Sequence, residues 1–459
     1  ALGAAAAAGR GAPVLAVLGA LVLVGVGAYC ELSTTQAVIL AALLFVPDMA
    51  SGTTLGFRLP WSSGLTLTNF VIPALAVPLL AGAWLAGRRP LPRRWPGLAT
   101  GALLLLGWGM VTLVAAEATQ ALSAAALATV LAHWSKLVMF VVLGAALAAG
   151  DGVWQRRAPR LLLAAIVANA AVGLAQMAGL LQGFSPLARG AAGVRASGLF
   201  YDANMYGVLC AWALLWLVWR RAGERGGWGW DVLALAVAAN LVGSGSRAGY
   251  GALAAGCGVL LLFRCPRPVV RALALLGVLA ALFPLRSVHR VGAAVAAVES
   301  AWAHRTVAAG GAQDAGTSER LASMREGLRQ IAEHPLFGVG FGRALYLGVP
   351  QARPSDPVRT GPGPFRGAQN MLLTVWAAMG PLGLLLFLAA IAAPLRQLRP
   401  SRAGYAALPM LAGFAGLLVA SLTIEALWNA RVLALVILLT AGAVAGRGGL
   451  GEARRCEAV

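Results

Sequence analysis

Arg88-Arg89-Pro90-Leu91-Pro92-Arg93-Arg94 is a short basic loop between two apolar runs, 67–86 and 97–116. Short arginine-rich loops stay on the cytoplasmic side when a chain is threaded through a bilayer. The pattern recurs down the chain. Arginines cluster again at 156–160, 220–225, 264–271, 396–402 and in the tail at 447–455. Two apolar segments separate each cluster from the next: 97–116 with 121–149, 161–182 with 204–219, 231–244 with 248–263, 269–285 with 367–393, and 405–423 with 430–446. All six clusters therefore fall on one side without a phase error.

Composition agrees with this reading. Hydrophobic residues make up 59% of the 459 residues and charged ones 11%. A span needs about 20 apolar residues, and only helices or closed barrels satisfy their backbone in lipid. The short alternating segments of a barrel are absent. The expected fold is an all-α polytopic membrane protein, one integral membrane domain over 1–459, with about 12 transmembrane helices. One long extracytoplasmic loop, 286–366, is expected to contain short helices. Segment 36–47 is short and ends at Pro47-Asp48. Treated as re-entrant or interfacial it leaves twelve spans with both termini inside, the preferred count; treated as a span it makes thirteen, with the amino terminus outside.

Residues 1–9 carry little positive charge ahead of their apolar run and do not read as a cleaved signal peptide. The net charge of +20 sits in loops beside spans, which argues for a membrane and against a nucleic-acid partner. The five cysteines show no metal spacing and no disulfide framework. The sole lysine, Lys136, lies in an apolar segment near His133. It is either a functional intramembrane cation or a snorkelling one. No dominant interface stripe argues for an oligomer, so a monomer is expected.

With the clusters inside, loops 117–120, 183–203, 244–247, 286–366 and 424–429 face outward. Four of them carry arginine at or near a helix end. Arg195 opens Arg195-Ala-Ser-Gly-Leu-Phe-Tyr-Asp-Ala-Asn204, Arg247 sits in the turn Gly243-Ser-Gly-Ser-Arg-Ala-Gly249, and Arg431 lies near Glu425 and Asn429. Loop 286–366 holds ten arginines against six acids, with His289, His304 and His334. Outward arginines point to a bound polyanion, because the planar guanidinium grips phosphate oxygens in pairs and keeps its charge.

Within the long loop, 318–334 reads as a helix with Ser318 as N-cap and Pro335 as the stop. Leu321, Met324, Leu328, Ile331 and Ala332 form its apolar stripe, with Arg320 and Arg325 at opposite edges. Such a helix lies in the interface or packs on the ends of the spans. The glycines of Phe337-Gly-Val-Gly-Phe-Gly342 lack the strand of a dinucleotide fingerprint, and read as a sharp turn beside the membrane surface.

Taken in order, Arg195-x-x-Gly-x-Phe with Asn204, Ser246-Arg247-Ala-Gly, and Arg320-Leu with His334-Pro-Leu-Phe-Gly-Val-Gly-Phe-Gly342 resemble one family. So does Gln369-Asn-Met-Leu-Leu with Met379-Gly-Pro-Leu-Gly383. Over roughly 160–395 the chain resembles the O-antigen ligase and O-antigen polymerase superfamily of bacterial membrane glycosyltransferases. The resemblance implies a multi-pass protein of the bacterial inner membrane with its active site on the periplasmic side. It implies transfer of a glycan from undecaprenyl pyrophosphate to a hydroxyl of lipid A-core, another glycan or a protein, with no cofactor and no metal. Arg195, Arg320 and the residue at 369 are then the catalytic positions. Arg247, Asn204, Arg325, Asn370 and His334 are the substrate-binding ones.

One position departs from the family. Gln369 stands where ligases carry a histidine proposed as general base, and an amide cannot take a proton at neutral pH. Substitute bases on the outer side are Asp202, Glu319, His334, Asp356 and Glu425. A polymerase of the same superfamily is the alternative within the class. A lipid-linked sugar flippase is the alternative outside it, though charge along a central path and inverted repeats are not visible. A noncatalytic membrane scaffold is a further one.

Overall fold

A computed structural model describes residues 12–47, 67–92, 95–119, 124–148, 157–181, 189–190, 193–200, 202–223, 228–264, 315–342, 370–398, 408–422 and 431–439. The described elements are nearly all helical. They are α1 (Ala12–Tyr29), α2 (Leu32–Phe45), α3 (Leu67–Leu85), α4 (Gly97–Thr119), α5 (Ala124–Ala148) and α6 (Ala158–Met177). A two-residue hairpin follows, β1 (Arg189–Gly190) and β2 (Gly193–Val194), antiparallel with Arg189 opposite Val194. Then come α7 (Ala203–Gly223), α8 (Gly229–Ser244), α9 (Arg247–Arg264), α10 (Ala315–Glu333), α11 (Met371–Gln397) and α12 (Leu408–Ser421). Residues 431–439 are helical as well.

Among the described residues, four helices are long and apolar enough to cross a membrane: Gly97–Thr119, Val130–Ala148, Ala158–Met177 and Met371–Gln397. Shorter apolar helices complete the bundle. These helices are apolar on their outer faces too. Leu21, Val22, Leu104, Val114, Leu235 and Leu385 are all exposed, which suits lipid and not water. The largest of three apolar core clusters fully encloses Phe140, Phe341 and Phe414. The expected span 269–285 and the loop residues 286–314 and 343–366 lie outside the described residues.

The amino-terminal helices are tied to the basic loops by two side chains. The Arg88 guanidinium donates to the Gly27 carbonyl at 3.4 Å, and Arg157 donates to Thr34 Oγ1 at 3.3 Å. Both arginines belong to the basic loops, so the α1–α2 turn stands at the basic end of the bundle. Helix α3 also ends there, at Leu85, three residues before Arg88. Helices α1 and α3 therefore run the same way, and α2 starts from the end where they finish. With 14 residues, α2 is about 21 Å long and stops inside the bundle.

Helix α11 carries the fold's main irregularity. Gly380 has φ 67° and ψ −173°, and Pro381 follows it inside the helix. Proline removes one intrahelical donor and its ring displaces the carbonyl four residues back, which frees the Ala377 oxygen. Val339 N–H donates to that carbonyl at 2.8 Å, and Gly340 N–H to Ala378 O at 3.0 Å. Trp108 Nε1 donates to Met379 O at 2.9 Å. The glycine-rich segment 337–342 thus plugs a broken helix, where a turn at the membrane surface was expected. Phe341 seals the plug against Gly109 of α4 and stacks on His133 of α5.

Candidate functional site

The clearest polar cluster lies at the end of the bundle away from the basic loops, where α8 meets α9. Gly245 caps α8 with φ 56°, a left-handed conformation that suits glycine, and its N–H returns to Val242 O. Ser246 starts the next helix: its hydroxyl accepts from Gly249 N–H at 3.0 Å and donates to Asn204 O at 3.1 Å. A C-cap and an N-cap therefore stand back to back, which accounts for the Ser-Gly-Ser-Arg turn. Arg247 follows as the exposed first residue of α9, at the positive end of the helix dipole.

Arg195 reaches this turn from the segment before α7. Its Nε donates to Ser244 O at 2.7 Å, and its Nη2 to Asn204 Oδ1 at 3.0 Å. Asp202 caps α7 by accepting from Asn204 N–H at 2.8 Å. The structure thus joins Arg195, Asn204 and the Ser244–Arg247 turn. Asn204, expected to bind substrate, uses its side-chain oxygen to orient Arg195.

The Arg195 segment is clamped from below by side chains that the sequence reading passed over. Gln176 Oε1 accepts from Ser197 N–H at 2.8 Å and from Gly198 N–H at 3.0 Å, and its Nε2 donates to Gly198 O at 3.1 Å. Asn169 Oδ1 accepts from Leu199 N–H at 3.0 Å, and Ala196 N–H donates to Gly243 O at 3.1 Å. Both amide side chains sit in α6, within a run read as apolar. A polar side chain inside a span was the available signal. Gln176→Leu leaves two buried N–H groups and a carbonyl unpaired. Each costs about 1–3 kcal/mol, so its thermal unfolding midpoint in detergent should fall well below wild type; an unchanged midpoint would refute the clamp.

The other expected site residues are placed as follows. Asn370 is the N-cap of α11: its Oδ1 accepts from Leu372 N–H at 3.0 Å and Leu373 N–H at 3.2 Å, and its Nδ2 donates to Leu422 O at 3.1 Å. Those bonds tie the start of α11 to the end of α12, which packs along α9. Arg325 is exposed on α10, and His334 is exposed one residue past it. Arg320 lies in α10, but its side chain and that of Glu319 fall outside the described residues. So do Gln369, Asp356, Glu425 and Asn429.

Helix α10 begins at Ala315, three residues before the expected Ser318 cap, and ends at Glu333, before Pro335. It packs against α11 with Ser323, Gly327 and Gln330 buried. This face is offset from the expected apolar stripe, because the small residues permit close approach. Leu328, Leu336 and Phe337 remain exposed, as residues in contact with lipid would be. Arg329 pairs with Glu326 at 2.6 Å and with Glu333. That pairing holds the Glu326 carboxyl below the usual carboxylate range. Its stabilisation of α10 is present at neutral pH and is lost as acid protonates Glu326.

Arg431, expected at the outer face, is only 3% exposed and closes the end of α2. Among the described residues no three of His, Cys, Asp and Glu stand where they could hold a metal ion. Cys30, Cys210 and Cys257 are free thiols. Lys136 lies inside the apolar helix α5, near His133.

Fold and site define a multi-helix membrane protein with Arg195 and Arg247 in a polar cluster at the end of its bundle away from the basic loops. Residues 232–388, about a third of the chain, match the O-Antigen ligase family model. Over that stretch the chain is similar to the O-antigen ligase family. The match runs from α8 to α11. It takes in Ser246-Arg247, Arg320, the glycine plug, Gln369-Asn370 and Gly380, and excludes Arg195, Asn204 and Arg431. No curated protein matches the chain.

Proposed function

We infer that the protein transfers a glycan from undecaprenyl pyrophosphate to an acceptor hydroxyl at the periplasmic face of a bacterial inner membrane, as an O-antigen ligase does. The observation that carries this reading is Arg195, anchored by two hydrogen bonds beside the amino end of α9 and exposed Arg247. A fixed guanidinium and a helix N-terminus together make an anion seat. The diphosphate of a lipid-linked donor arrives at that depth in the bilayer.

In the reaction the acceptor oxygen bonds to the anomeric carbon as the bond from that carbon to the pyrophosphate oxygen breaks. The hydroxyl proton is released to water as the new bond forms, and negative charge builds on the departing pyrophosphate. Preorganised cations at that point lower the barrier. Arg195, Arg320 and Arg247 supply them, with Arg325 and His334 at the edge of the site. Gln369 orients the acceptor hydroxyl by hydrogen bonding, since its amide cannot accept the proton.

The test is transfer by the purified protein in detergent, with an undecaprenyl-pyrophosphate glycan as donor and EDTA present, with and without lipid A-core. Product only with lipid A-core identifies a ligase. Longer lipid-linked glycan without it identifies a polymerase. No product in either tube, and none after Gln369→His, would overturn the assignment in favour of transport.

Sidedness has its own test. With the five native cysteines replaced by serine, Gly310→Cys should label with an impermeant maleimide from outside intact spheroplasts. Labelling only after lysis would invert the orientation.

A further inference from the structure

Arg431 stands outside the matched residues and outside the anion cluster. Among the described residues it is the charged side chain buried inside the bundle. Its Nε donates to Leu43 O at 2.6 Å, and its Nη2 to Leu44 O at 2.7 Å. Those carbonyls belong to the last turn of α2, which has no intrahelical donors for them. A fork of parallel N–H groups suits two adjacent carbonyls, and its charge meets the negative end of the helix dipole.

The same guanidinium reaches the segment that carries Arg195. Its Nη1 donates to Leu199 O at 3.4 Å, and its carbon lies 4.4 Å from the centroid of the Phe200 ring. A cation over a desolvated aromatic face is held electrostatically. Residues 195–200 are therefore fixed at both ends. Arg195 is tied to Ser244 and Asn204, and Leu199–Phe200 to Arg431. A charge kept inside a membrane bundle calls for a use. Capping α2 alone would not require a partner in this segment.

We propose that Arg431 is a positioning residue for Arg195: it locks the inner end of segment 195–200 to α2, so the Arg195 guanidinium keeps its place at the anion seat. The inference rests on the donor-binding reading of Arg195, but one measurement reads it without activity. Hydrogen exchange by mass spectrometry would compare the full-length wild type with Arg431→Lys and Phe200→Leu. Lysine keeps the charge but loses the fork. Leucine at 200 removes the ring and leaves the α2 carbonyls capped.

Both variants are expected to raise exchange over 195–200 at least about tenfold. Segment 336–341, held to α11 by separate hydrogen bonds, should be unchanged. In the same preparations kcat should fall about tenfold to a hundredfold, with the acceptor KM unchanged. Unchanged exchange over 195–200 in both variants would overturn the proposal. A rise that includes 336–341 would also overturn it, reducing Arg431 to a general structural cap. If the wild type transfers nothing, the donor reading fails, and the exchange data still decide whether Arg431 positions the segment.

Discussion

Arg195→Ala is expected to lower glycan transfer by about 10²–10³-fold without unfolding the protein. Two separate sets of bonds justify both halves of this expectation. The backbone of 196–199 is held by Gly243 O, Gln176 and Asn169, none of which needs the Arg195 side chain. Losing the guanidinium frees Ser244 O and Asn204 Oδ1 at the polar end of the bundle, where water replaces it. What disappears is a fixed cation at the point where the leaving pyrophosphate gathers charge.

Arg195→Lys separates charge from geometry. Lysine offers a point charge in place of a fork, and it cannot bridge Ser244 O and Asn204 Oδ1 in the same pose. Partial activity in Lys and little in Ala would place the effect on oriented charge. Arg320→Ala should abolish transfer in parallel, with expression intact. Wild-type rates in either alanine variant, measured on folded protein, would sink the role given to these arginines.

How much of this was legible in the sequence depends on the length scale of the signal. Spans and basic loops are read over tens of residues, and the period-breaking arginines of 88–94 and 156–160 did locate one end of the bundle. The direction of α1 was not legible. Segment 36–47 is too short to declare itself, and contacts from Arg88, Arg157, Gln36 and Arg431 place it.

The site divides in the same way. Arg195, Arg247 and Asn204 carry polar chemistry at turn positions, so sequence could single them out. That Asn204 serves Arg195, and that Asn370 is spent on capping, depends on partners 9 and 52 residues away. Gln176 and Asn169 were hidden by their apolar neighbours. Arg431 was legible as an arginine at a helix start, but its burial and its bonds to α2, 387 and 388 residues away, were not.

Gly380→Ala should cause the largest loss of stability of any single methyl addition considered. At φ 67° and ψ −173° the backbone occupies a region open almost only to glycine, worth about 1–3 kcal/mol of strain for another residue. The added carbon would also stand 2.0 Å from Leu336 O and 2.6 Å from Leu336 C. Both are backbone atoms, so no side-chain rotation relieves the clash. Segment 336–341 must move away, and the Ala377 and Ala378 carbonyls then lose the N–H groups of Val339 and Gly340. Unpaired carbonyls among apolar helices cost several kcal/mol, and Phe341 would leave its fully buried place beside Gly109. Gly107→Ala is the matched control, since nothing lies within 4 Å of the added carbon and alanine favours a helix by about 0.5–1 kcal/mol. Thermal unfolding in detergent should show Gly380→Ala far below wild type and Gly107→Ala at or above it. If the two variants unfold together, the plug is not what holds α11 at its break, and the glycine and proline there must answer to something other than the docking of 336–341.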